Sequence, residues 1–185
     1  MNKRDFPKIH FYDQDFVDIY DKTWAWLSSF WLNKKLESDT SEGFFVYPED
    51  KDGNPVVVSP TDNTKAPVPE NAVIDQFETI FSSFFLVYSN RNFTVNQNLD
   101  FFYEKQEENG AIRWKYNLKT GEPLTSKENP DGVGLPLFAW AEFNLYHKSA
   151  NKRRIKEIMP ILQKYMNWID QTYKQSNGLY SAPMA

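Results

Sequence analysis

Five segments of this chain repeat apolar residues at three- and four-residue intervals, and none of them is apolar all round. Such stripes are buried only when helices pack as neighbouring layers, so the pattern demands an all-α fold of stacked helical hairpins with minor β excursions. The first stripe runs through Phe16, Ile19, Tyr20, Thr23, Trp24, Leu27, Phe30 and Trp31 and predicts a helix over 15–33. Asp13, Asp15 and Asp18 near its start and Lys34 and Lys35 near its end suit the helix dipole. Further helices are expected over 75–88, over 94–108, in "LPLFAWAEFNLYHKS", and in the long run after "NKRRIK". In that last run Ile155, Ile158, Met159, Leu162, Tyr165, Met166, Ile169 and Tyr173 share a face, and Pro160 either kinks the helix or starts its main part. Thr94 and Gln97 have capping-box spacing, and Asp75 reads as an N-cap or first-turn acid.

Between the first two helices, "SDTSEGFFVYPEDKDGNPVVVSPTDNTKAPVPE" is crowded with Pro, Gly, Asp and Asn around two strand-like runs, "FFVY" and "PVVV". A β excursion near 44–58 is expected there, a hairpin turning at "KDGN". At 185 residues the chain is long enough for one domain with a sizeable core, taken as 1–185. No internal sequence repeat accompanies the helical layers.

Several functions are disfavoured at once. The formal net charge of -4 offers no broad attraction to a phosphate backbone, so no nucleic-acid partner is expected. With Cys 0 there are no thiolate ligands or thiol nucleophiles, and His10 and His147 lie far apart, so neither metal nor other cofactor is expected. No apolar run is long enough for a bilayer, and the first residues lack the apolar stretch of a secretory signal, so the chain reads as soluble without a membrane partner. The compartment is not legible in the sequence. Glycine-rich phosphate loops and nucleophile elbows are absent as well.

What remains are polar side chains beside aromatics: Asp75, Gln76 and Glu78 around Phe77, Arg113 beside Trp114, and Trp140 two places before Glu142. Aromatic residues make up 17% of a chain with polar surfaces, which fits a groove lined by rings. A sugar offers an apolar face to a ring and hydroxyls to carboxylate, amide and guanidinium groups, so a carbohydrate ligand suits this set. The plainer alternative is that the acids are caps and dipole partners and the rings are core, as expected for Trp24, Trp31 and Trp168.

The order "QFETIF…YSN…NLDFFYEKQEENGAI…LPLFAWAEFNLY…IMPILQKYMNWID…NGLY" resembles the (α/α)6-barrel glycoside hydrolases of the trehalase-like group. It is most similar to bacterial relatives of family 63 processing α-glucosidase and of mannosylglycerate hydrolase. The resemblance covers about 24–180 and implies that the helical hairpins belong to an (α/α)6 toroid. In that group a helix opens with a Gln-Trp-Asp-Thr-like motif; here Gln76, Phe77, Glu78 and Thr79 stand at those positions. By this resemblance Glu78 would bind sugar hydroxyls with Phe77 as a wall, Trp140 would shape the pocket, and Glu142 would support or face the ligand. The substitutions lengthen the acid's reach and remove an indole donor, while Trp114 takes the place of the family's arginine and Arg113 precedes it.

Such enzymes resemble inverting glycosidases, whose acid and base carboxyls stand roughly 6.5–9.5 Å apart around the scissile bond and its water. In the family the acid follows the "GLY" motif in an aspartate-bearing loop, and the base lies further on. Both are therefore expected beyond Ala185, which makes the missing C-terminal part of the same domain a candidate partner. Two other functions stay open: a non-catalytic saccharide-binding relative, and a helical scaffold or interaction domain.

Overall fold

The computed structural model describes residues 6–35, 41–46, 72–127 and 129–181. It is mostly α-helical, as the stripes require. The first helix, α1 (Gln14–Ser29), starts where the Asp13 side chain accepts from the Asp15 N–H at 2.9 Å. It ends earlier than its periodicity predicts. Strand β1 (Trp31–Lys35) follows at once and pairs antiparallel with β2 (Ser41–Phe45), Trp31 opposite Phe45 and Lys35 opposite Ser41. The physical reason is tertiary: Phe30 folds back on Trp26, and Trp31 turns its ring to Phe93 at 5.1 Å, so leaving the helix buries both. Only Phe44 and Phe45 of the strand expected in "FFVY" belong to β2, which takes its partner from the end of the predicted helix; Val46 is outside the strand, and Tyr47, "KDGN" and "PVVV" lie outside the described residues.

A three-residue strand, β3 (Val73–Asp75), leads straight into α2 (Gln76–Leu86) and pairs antiparallel with β4 (Lys115–Asn117). The ladder continues through the Gln76 N–H to the Trp114 carbonyl at 2.7 Å, which holds the start of α2 against the loop after residue 112. Asp75 caps the helix, its carboxylate accepting from the Glu78 N–H at 3.1 Å. A single 3-10 turn, Val87–Ser89, closes α2.

α3 (Val95–Glu104) stops four residues short of the expected end. Its capping box does not form, because the Thr94 hydroxyl donates to the Gln97 side-chain oxygen and satisfies no backbone N–H. The loop after it is clamped onto the last helix. Gln106 donates to the carbonyls of Gly110 and Ile161, and Gly110 adopts φ 102. A Cβ at Gly110 would sit 2.5 Å from the Lys164 carbonyl oxygen, so both the conformation and the close approach require glycine.

α4 (Phe138–Ser149) and α5 (Lys152–Tyr173) form a tight hairpin joined by Ala150, in the left-handed region at φ 50, and Asn151, whose side chain caps α5 through the Arg154 N–H. α5 continues through Pro160, which faces solvent, so proline neither breaks nor starts it. The hairpins α2/α3 and α4/α5 stack with α2 beside α4. Between them lie Ile80, Leu99, Phe102, Ile112, Phe138 and Tyr165, all essentially inaccessible. Trp24 and Trp168 are core, as is Trp31. Among the described residues no helix is long and apolar enough to cross a membrane.

Candidate functional site

A cavity of about 880 Å³ opens at the N-terminus of α2. One wall is the helix start itself, Asp75 to Glu78 with Ile80; a second is Trp114 with the segment 133–137; the third comes from α5 and the stretch beyond it, Met166, Ile169, Tyr173, Tyr180 and Ser181. Its size suits a ligand of more than one ring.

Most polar groups on these walls have structural work. Asp75 is buried, caps α2 and lies 3.4 Å from the Lys115 ammonium. Gln76 is buried, and its amide donates to the Leu135 carbonyl at 2.9 Å. Its side-chain oxygen presses against Gly134, where any Cβ would collide with it. Phe77 is more than half exposed and rests on Phe81, while Glu78 is half-buried in the first turn. Trp114 carries the Lys115 ammonium 4.3 Å over its ring, and its buried indole N–H has no hydrogen-bond partner. The indole stands at the position where the resemblance expects a guanidinium, with that N–H closed off from solvent.

The sequence missed the segment 133–137 of the second wall and the whole of the third. The segment 133–137 is set by Asn129, whose side chain donates to the Val133 carbonyl at 2.8 Å and accepts from the Val133 N–H at 3.1 Å. Tyr173 donates to Asp131 at 3.3 Å, and burial, reinforced by Asp131, pushes its hydroxyl up to about 12. Tyr180 bonds Asp170 instead of facing the cavity with a free hydroxyl. The "DGVG" and "NGLY" stretches were the available signals, since each sets a turn beside a pocket wall.

Of the nominated residues, Gln76, Phe77, Glu78 and Trp114 meet at this cavity. Arg113, Trp140 and Glu142 are not part of its lining. Arg113 turns away to hold both carboxylate oxygens of Glu107, at 2.6 and 2.8 Å, and the Asp131 carbonyl; the Glu107 bond raises its already high pKa. Trp140 packs on Phe84 and Phe81 at 4.5 and 5.6 Å on the outer side of α4.

Glu142 corrects the sequence reading most sharply. It is 2% exposed and receives two hydrogen bonds from Arg154, at 2.8 and 2.7 Å, and one from the Tyr103 hydroxyl at 3.0 Å. Asp100 completes the set on Arg154 at 2.9 Å. Burial disfavours the Arg154 charge, but the bonds to Glu142 and Asp100 outweigh it and hold the guanidinium pKa above its usual value. Tyr103 is driven well above the ordinary phenol range by burial first and then by Glu142. Among the described residues no group of three or more His, Asp or Glu gathers as metal ligands.

The described architecture is therefore that of a mostly helical protein with an aromatic-walled cavity at a helix N-terminus. No family model and no solved structure matches the chain. Over 181 residues, 98% of this chain, it is 41% identical to a protein of Borreliella burgdorferi strain B31 described only as an uncharacterized protein. The matched part is 34% of that protein, so the chain spans about a third of the length of the curated relative it matches.

Proposed function

We propose that this chain supplies the sugar-holding part of an inverting glycoside hydrolase of the (α/α)6 type, acting on an α-linked oligosaccharide or glycoside. One observation carries the reading: Gln76, Phe77 and Glu78 at the start of α2 and Trp114 from a loop distant in sequence converge on one cavity large enough for a disaccharide. In this reading Phe77 and Trp114 meet the apolar face of a sugar ring, and the Glu78 carboxylate takes its hydroxyls. Gln76 acts as a positioning residue, since its amide fixes the Leu135 carbonyl and with it the opposite wall. The proton-transferring acid and base belong to sequence outside this chain, so the chain alone binds sugar and does not hydrolyse it.

A second reading, a helical scaffold, draws support from Glu142 and Arg113, both consumed by internal ion pairs. Titrating the chain with maltose, trehalose and α-mannosylglycerate while following tryptophan fluorescence and calorimetric heat separates the two. Saturable binding to at least one of them, weakened tenfold or more by Trp114→Phe, is expected. No binding to any α-linked sugar leaves the scaffold reading in possession.

A further inference from the structure

The outer side of the α2/α4 pair carries rings that a completed core would cover. Phe77 and Phe81 on α2 and Trp140 and Phe143 on α4 are 37–59% exposed. Phe77, Phe81 and Trp140 form one surface, Phe77 meeting Phe81 at 4.3 Å, Phe81 meeting Trp140 at 5.6 Å, and Phe84 closing on Trp140 at 4.5 Å, while Phe143 follows Trp140 by three residues on α4. Their four- and three-residue spacings keep them on one face of each helix. At the far end the surface turns cationic, where the Lys148 ammonium lies 4.5 Å over Tyr88 and His147 packs on Phe143. A continuous aromatic patch of this kind marks an interface.

The length of the matched relative suggests an occupant. The relative that matches 98% of this chain is about three times as long, and some two thirds of it has no counterpart here. We propose that the α2/α4 face seats an amphipathic helix from that remaining part of the longer polypeptide. The helix brings an apolar stripe to lie along the groove between α2 and α4, with a carboxylate near the Lys148 end. Because Phe77 belongs both to this face and to the cavity wall, the seated helix also borders the cavity. The inference does not depend on what the cavity binds.

The test is a chimera in which this chain replaces the matching third of the Borreliella burgdorferi relative, compared with the isolated chain by hydroxyl-radical footprinting. Oxidation of Phe81, Trp140 and Phe143 should fall at least fivefold in the chimera, with the isolated chain monomeric by light scattering. Trp140→Glu should lower the chimera's melting temperature by more than that of the isolated chain. Unchanged oxidation in a cooperatively folded chimera overturns the proposal, as does a homodimer of the isolated chain that already protects these rings. An equal melting shift in both backgrounds also overturns it. A chimera that does not unfold cooperatively counts against it too, because a face built for that helix would seat it. None of these readouts involves a sugar, so failure here and failure of the carbohydrate reading remain distinct.

Discussion

Two carboxylates with aromatic neighbours, Glu78 and Glu142, meet opposite fates. Glu142 lies in the second turn of α4, faces inward, and finds Arg154 waiting on the next helix together with the Tyr103 hydroxyl. Glu78 lies in the first turn of α2 on a cavity wall, where backbone N–H groups and the helix dipole favour negative charge. An acid beside a ring is therefore not a site by composition. Its place on the helix, and what the adjoining helix presents to it, decide whether it is an internal strut or part of a cavity wall.

The contrast breaks most visibly at Arg154. Arg154→Ala leaves Glu142 buried without its arginine, and a loss of about 3–5 kcal/mol in urea denaturation is expected. Replacing both members, Glu142→Leu with Arg154→Met, should recover most of that loss, whereas a catalytic Glu142 would show its effect in turnover instead.

Two buried phenols set an alkaline limit. The Tyr103 pKa is raised well above 10.0 and that of Tyr165 to about 12, so the folded state favours both protonated phenols. Their contribution is complete below pH 10 and is lost as the pH climbs from there through the folded values. Tyrosinate absorbance should accordingly appear for the exposed tyrosines first and for these two only with unfolding. Early ionisation of every tyrosine in a folded sample would contradict the burial described.

At the other carboxylate pair the effects shrink. Asp75→Ala removes the α2 cap and the Lys115 partner, and about 1 kcal/mol of stability should go with it. Smallest of all, Glu78→Ala should change stability by no more than about 0.5 kcal/mol. In the longer protein it should nonetheless depress turnover, or sugar affinity if only binding is assayed. Unchanged kinetics and binding would remove Glu78 from the site.

How far the sequence could be read follows the same line. Helix positions were legible because amphipathic stripes are local, and Asp75 was legible as a cap because capping spans only a few residues. The end of α1 was not, since Trp31 exchanges helical spacing for a place against Phe93, sixty-two positions on. The β3/β4 pair is too short, at 3 residues each, to show any period. Within the site, the resemblance led to Gln76, Phe77, Glu78 and Trp114, all on the cavity wall. It also led to Glu142, whose meaning depends on an arginine twelve residues later on another helix. No local pattern announces that pairing.

The joint at Ala150 and Asn151 has a consequence in time as well as in space. With only these two residues between α4 and α5, the contacts of that hairpin close short chain loops, whereas the Gln76–Leu135 and Asn98–Gly43 bonds must close loops of more than fifty. Loop closure is cheaper and faster when it is short. The α4/α5 hairpin should therefore be structured in the folding transition state before the cavity exists. Mutations such as Leu145→Ala and Ile158→Ala should slow folding, while those at Ile74 and Val133 should chiefly speed unfolding. Stopped-flow chevrons for those four variants read the order directly, and slower folding at Ile74 and Val133 would place the cavity in the transition state as well.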